Sequence, residues 1–407
     1  MRYLLTFCFC FNFPLLALDK VTSSKSIFVH YMPWYASKSF SGQWGWHWTM
    51  GHFKPDNLGT EGKRELASHY TPLIGAYDSH DPDLLECQVL LMKFSGIRGV
   101  IIDWYGTENF RDYSTIHRNS LNLIKHIKKA GLNFAICYED QSVKHMINGG
   151  KIKKDQELSY AKKEFQWMEK NFFADPAYLK IKEKPILLIF GPQHFKKDQW
   201  THITSSLSNK PQLFTLPHLK DQINDAGEFG WPPVHGGKNI TSKVWRQYLQ
   251  SLYSRSNQNA STIASVFPQF HDIYQQAGVH KSYGYLDPQG GETFDQTLEM
   301  ALQSNSELIQ IATWNDYGEG TMIEPTKEFA YRYLERLQRL FLNDKTFSYG
   351  PNDLRSPVNL YQLRKHYSGN KKITAQLNLA SKSLFDSKIE EANKIMLRYI
   401  PAIHKTN

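Results

Sequence analysis

Two carboxylates three residues apart, Asp316 and Glu319, carry the sharpest chemical signal in the chain. They lie in the run Trp314-Asn315-Asp316-Tyr317-Gly318-Glu319-Gly320, where the two glycines permit a tight backbone and let both acids point into one opening. A carboxyl pair in unlike environments is the usual equipment for glycoside hydrolysis. One group is kept protonated as acid and the other ionised as base or nucleophile. The same spacing also suits an ordinary helix surface. The pair gains meaning from what precedes it, the buried-strand pattern Leu308–Thr313 (LIQIAT).

Seven more short apolar runs resemble that one: Ile27–Met32, Val100–Asp103, Phe134–Tyr138, Pro185–Phe190, Gln212–Leu216, a stretch near Glu228–Trp231, and Ile263–Phe267. Helix-period segments alternate with them, among them Leu84–Ser95, Ser120–Ala130, Leu158–Asn171 and Phe294–Gln303. Continuous rather than alternating apolar strands are buried on both faces, as in parallel sheets. The pattern predicts a (β/α)8 TIM barrel with enlarged loops over residues 25–343. An open doubly wound sheet is the alternative, although no glycine-rich phosphate fingerprint follows any strand.

In such barrels chemistry sits at the C-terminal strand ends, and here those ends alternate acids with rings. They are His30-Tyr31-Met32-Pro33-Trp34-Tyr35, Asp103-Trp104-Tyr105, Tyr138-Glu139-Asp140, Glu228-Phe229-Gly230-Trp231, Phe267 to Asp272, and Thr313 onward. Neutral glycans call for this mixture, with ring faces stacking and carboxylates binding hydroxyls. Candidate substrate contacts are Tyr31, Trp34, Asp103, Trp104, Tyr105, Glu139, His271, Asp272, Glu292, Trp314 and Asn315. Tyr31, Trp34 and Trp104 read equally as caps on the barrel core, and Asp103 as an acceptor for backbone N–H groups. Trp44–His52 (WGWHWTMGH) is a candidate subsite wall whose His47 and His52 lack a metal-ligand partner set. No metal or organic cofactor is implied.

Composition excludes other classes. The net charge is +9 over 407 residues, from 48 Lys+Arg against 39 Asp+Glu, and the lysines are scattered rather than gathered into a basic stripe, so nucleic acid is not expected. Residues 1–18 (MRYLLTFCFCFNFPLLAL) read as a secretory signal that removes Cys8 and Cys10, which places the protein outside the cytoplasm. Cys87 and Cys137 remain as buried thiols, and no other stretch is long enough to span a membrane. Residues 344–407 read as a helical appendage, and Asn239 and Asn259 begin glycosylation sequons.

Thr313–Thr326 (TWNDYGEGTMIEPT) resembles the glycoside hydrolase family 71/99-like group, and family 99 endo-α-mannosidases and endo-mannanases most closely. Supporting segments are His30–Tyr35 (HYMPWY), His69–Ser79 (HYTPLIGAYDS), Ile101–Gly106 (IIDWYG), Tyr138–Asp140, and the stretch from Phe267 to Phe294. The resemblance implies a secreted hydrolase of an α-linked, mannoside-like glycan, endo-acting and retaining. It makes Glu319 the general acid and Glu139 a substrate-binding acid. Asp316 stands where family 99 has a Glu that acts as base on the sugar's own 2-hydroxyl, and Gly318 replaces a bulkier residue. The shorter acid keeps two alternatives open, an inverting family 71-like α-glucanase and a non-catalytic glycan-binding barrel. A sugar-transferring enzyme is disfavoured by the signal sequence.

Overall fold

The computed structural model describes residues 25–59, 62–256, 261–341, 344 and 346–400. The expected signal segment, Cys8 and Cys10 lie outside the described residues, as does the start of the second sequon. The eight runs expected as strands are strands: β1 (Ser26–Tyr31), β2 (Gly99–Trp104), β3 (Asn133–Tyr138), β4 (Lys184–Ile189), β5 (Gln212–Thr215), β6 (Gly227–Phe229), β7 (Thr262–Val266) and β8 (Leu308–Ile311). They pair in parallel around a closed ring, because β1 bonds both β2 (His30 opposite Ile101) and β8 (Val29 opposite Ile311), while β3 bonds β4. The open-sheet alternative is thereby replaced by a (β/α)8 barrel.

Side chains alternate across each strand, and the alternation sorts the strands into two cores. Phe28, Ile101, Ala135, Cys137, Ile186, Leu188, Phe214, Phe229 and Ile263 fill the barrel interior. Val29, Tyr31, Val100, Ile102, Trp104, Ile136, Tyr138, Leu187 and Ile309 face the surrounding helices. Gly99 and Gly227 occur where a phenyl ring crosses from the neighbouring strand. A β-carbon at either position would overlap Phe28 or Phe214.

The helical layer contains α1 (Pro82–Phe94), α2 (Tyr113–Lys129), α3 (Gln141–Asn148), α4 (Glu157–Met168), α5 (Lys197–Thr204), α6 (Ser242–Ser256), α7 (Glu292–Gln303) and α8 (Arg332–Gln338). Helix α1 starts with Pro82 in its first turn and an Asp81 carboxylate accepting from the Asp83 N–H, a standard N-cap. After Glu328 the chain enters α8 only at Arg332, since Ala330 takes a left-handed conformation before it.

The C-terminal segment forms α9 (Arg355–His366), α10 (Lys371–Phe385) and α11 (Ile389–Met396). It packs against the helical layer of the barrel. Leu360, Leu363, Leu377, Leu384 and Met396 join the same apolar core as the barrel helices. Covered by the barrel on one side and α9–α11 on the other, α1 buries even Glu86, which accepts from Arg364 Nε at 2.8 Å and from the Ser381 hydroxyl. Cys87 and Cys137 are buried free thiols. Among the described residues no helix is long and apolar enough to cross a membrane.

Candidate active site

A cavity of about 880 Å³ opens at the C-terminal end of the strands, within the size range of small-molecule and sugar sites. The pleat decides who reaches it. On β1 the inward residue is His30, on β2 Asp103, after β3 Glu139, after β4 Phe190 and after β6 Trp231. The loop following β8 supplies Asp316, Gly318 and Glu319, and the loop after β7 supplies Phe270, Tyr274 and Tyr283.

The β8 loop is held by its own bonds. The Thr313 N–H donates to the Thr321 carbonyl at 2.8 Å, and the Asp316 N–H donates to Thr313 Oγ1 at 2.8 Å. The Glu319 N–H donates to Asp316 Oδ1 at 2.9 Å, so the Asp316 carboxylate itself fixes the turn that carries its partner acid. Asn315 staples this loop to the end of β1. Its Oδ1 accepts the Met32 N–H at 2.8 Å and its Nδ2 donates to the Met32 carbonyl at 3.0 Å. Tyr35 adds a third tie, its hydroxyl donating to the Asn315 carbonyl at 2.8 Å and accepting the Tyr317 N–H at 3.0 Å.

Beneath the loop lies a buried acid that sequence reasoning did not single out. Glu324 is 3% exposed and accepts from Tyr77 Oη at 2.8 Å, Tyr317 Oη at 2.9 Å and Gln88 Nε2 at 2.6 Å. Burial pushes its carboxyl up to about 7 despite these donors.

Four acids share the cavity: Asp103, Glu139, Asp316 and Glu319. Burial raises each of them. Asp316 is pushed up to about 6, less than its neighbours because the N–H groups of Glu319 and Gly318 favour its ionised form. Glu319 is driven well above the ordinary carboxyl range, first by burial and then by the Asp316 charge. The indole of Trp231 donates to Glu319 Oε2 at 3.3 Å. Burial lifts Glu139 to about 7 against the pull of its bond from the Gln141 amide, and burial plus Glu139 raise Asp103 well above its ordinary value. The pair on the β8 loop is thus split into a group that ionises near neutrality and a group that keeps its proton. That is the division of labour acid–base catalysis requires.

The expected site residues divide by geometry. Asp316, Glu319, Glu139, Asp103, Tyr105 and Trp34 line the cavity together. Tyr31 and Trp104 do not, because the strand alternation turns them to the helices. There the Tyr31 hydroxyl donates to Gln88 Oε1 at 2.6 Å and Trp104 Nε1 to His117 at 3.1 Å. Trp314 is fully buried in the helix-side core, and Asn315 acts on the backbone as described. His271 stacks on His69 with centroids 3.6 Å apart, outside the cavity lining. Asp272 accepts the Tyr283 N–H at 2.8 Å and the Ser282 hydroxyl at 3.1 Å, shaping the loop that presents Tyr274 and Tyr283. Glu292 is exposed at the start of α7, away from the cavity.

From the aromatic tract, Trp46, His47 and Met50 form one wall, with His47 stacked on Trp34 at 4.1 Å and bonded to Asp112 at 3.1 Å. Trp48 instead turns inward, its indole donating to the Tyr77 carbonyl at 2.8 Å. Cavity residues not singled out as substrate contacts in the sequence include His30 and Trp231, which stand in the strand-end runs, and Tyr274. Strand parity would have found His30 and Trp231, since each lies two positions beyond an interior phenylalanine. Among the described residues no three His, Cys, Asp or Glu side chains are arranged to hold a metal ion.

Comparison with known proteins finds glycoside hydrolases among the matches. The model for glycosyl hydrolase family 99 matches residues 22–211, and a model described as a domain of unknown function (DUF5010) matches residues 236–343. A mouse glycoprotein endo-α-1,2-mannosidase is 22% identical over 332 residues, covering 73% of this chain and 67% of the relative. A human glycoprotein endo-α-1,2-mannosidase-like protein is 22% identical over 314 residues, covering 70% of this chain and 62% of the relative. Among solved structures, a family 99 endo-α-mannosidase from Bacteroides thetaiotaomicron superposes with a TM-score of 0.59 at 18% identity, covering 82% of this chain and 98% of that one. The structural likeness concerns the fold.

Proposed function

We propose that this chain, which is similar to glycosyl hydrolase family 99 over residues 22–211 and to endo-α-1,2-mannosidases, cleaves α-mannosidic bonds within a glycan, with retention of configuration, outside the cytoplasm. The observation that carries the reading is the split pair on the β8 loop, Glu319 held protonated and Asp316 ionising near 6, facing Asp103 and Glu139 across one cavity.

In this mechanism Glu319 gives its proton to the glycosidic oxygen as the bond from C1 to that oxygen breaks. Asp316, through the oxygen not committed to the Glu319 N–H, takes the proton of the sugar's 2-hydroxyl as O2 closes on C1. A water then opens the 1,2-anhydro sugar: the Glu319 carboxylate takes the water's proton, and Asp316 returns its proton to O2. Glu139 and Asp103 are placed for hydroxyl contacts, and the Trp34–His47 stack and Trp46 for a ring face. The lining holds no Lys or Arg among the described residues, which with four acids favours a neutral glycan over an anionic one.

The test is hydrolysis of α-mannans and α-1,2-linked manno-oligosaccharides, with the product anomer followed by proton NMR. Wild type should release an α-configured product, and Glu319→Gln should lose at least about a hundredfold in kcat while still binding glycan. Wild-type turnover in that variant would overturn the assignment. An inverted product would make Asp316 a base on water instead. Binding without cleavage by the wild type would favour a glycan-binding barrel.

A further inference from the structure

His30 sits one residue before the end of β1 and faces into the barrel above Phe28. Its imidazole is 1% exposed and lines the cavity, and among the described residues neither ring nitrogen meets a hydrogen-bond partner. Rings surround it instead, Trp231 edge-on with centroids 4.9 Å apart and Phe229 at 6.4 Å. Burial lowers its pKa to about 3, so the ring is neutral at any working pH and offers one donor and one acceptor. A buried polar group left unpaired is destabilising and calls for a reason. At this position a phenyl ring would suit the aromatic surroundings better.

Among the described residues two more buried polar atoms on the same lining meet no hydrogen-bond partner, Trp34 Nε1, a donor, and Asp103 Oδ2. Three side chains therefore present unused hydrogen-bonding capacity to one cavity. A hydroxyl, itself donor and acceptor, is the ligand group that satisfies a neutral imidazole, and a sugar supplies several.

We infer that His30 is a substrate-contacting residue, exchanging hydrogen bonds with a hydroxyl of the pyranose seated against Asp316 and Glu319. The assignment rests on the glycosidase reading above. It makes His30 a residue kept for binding at the expense of stability.

The full-length chain carrying Glu319→Gln serves as the parent for binding, so that cleavage does not intervene. His30→Phe and His30→Asn are added to it, the second because an amide is too short to follow the imidazole yet stays polar if phenylalanine prevents folding. Thermal midpoints are read without ligand, and α-1,2-mannobiose is titrated by calorimetry. His30→Phe should melt at or above the parent, and both variants should bind mannobiose at least about tenfold more weakly, the loss expected when a buried partner is left unpaired. Binding within twofold of the parent in either folded variant would overturn the role. If the parent binds mannobiose while the wild type cleaves nothing, the hydrolase reading fails and the variants still decide His30. No binding by the parent overturns both.

Discussion

Replacing Glu324 by glutamine should flatten the dependence of stability on pH. Glu324 lies under the β8 loop, 3% exposed, with its carboxyl raised from an ordinary 4.5 to about 7, chiefly by burial. The native chain therefore holds this proton more tightly than the unfolded chain does. The stability that the group contributes is complete below about 4.5 and is lost as pH rises through about 7. The gap is worth about 3 kcal/mol in all, of which about 2 kcal/mol falls between pH 5 and pH 8. Glutamine is neutral throughout and keeps one acceptor oxygen, but its amide N–H groups face donors that the second carboxylate oxygen had served. That mismatch costs about 1–2 kcal/mol at both pH values and cancels in the comparison. Urea unfolding of wild type and Glu324→Gln at pH 5 and pH 8 gives the double difference, from which the other raised acids also drop out. The variant should gain about 2 kcal/mol on the wild type between the two conditions. A double difference near zero, or of opposite sign, would show that the three hydrogen-bonded donors keep Glu324 ionised in the native state at pH 5, and would refute the reasoning.

The pH–rate profile should follow the same electrostatics. With Asp316 pushed up to about 6, kcat/KM should fall on the acid side below about pH 6, and a profile flat down to pH 4 would contradict its role as base. Asn315→Ala should cost about 2–4 kcal/mol, because it leaves the Met32 N–H and carbonyl without their partners at 2.8 and 3.0 Å. Its kcat/KM should fall with it as the loop loosens, read by urea unfolding and by hydrolysis of an α-mannan.

The barrel was legible because its strands are continuous apolar runs, a signal that needs no long-range information. The candidate site was legible in part. Asp316 and Glu319 follow a strand and sit among glycines, but Tyr31, Trp34, Asp103, Trp104 and Tyr105 looked alike as residues near strand ends. Alternation separates them once one inward residue is known. If Asp103 points to the mouth, Trp104 beside it points to the helices. The support beneath the loop was not legible at all. Glu324 meets Gln88 across 236 positions and Tyr77 across 247, and neither partner carries a local sign of it. The C-terminal helices look separate for a like reason, since the acid that anchors them, Glu86, lies 278 positions before its Arg364 partner.

The Asn315 clasp has a consequence for the order of events in making this protein. It joins residues 283 positions apart, the loop of the last strand to the end of the first. Ring closure and the setting of Asp316 and Glu319 are therefore one event. A chain emerging from the ribosome carries Asp103 and Glu139 early, yet Asp316 and Glu319 join them only once β8 has docked beside β1. Recovery of turnover after denaturation should accordingly trail the return of helical circular dichroism, and the lag would measure how slowly the first and last strands find each other.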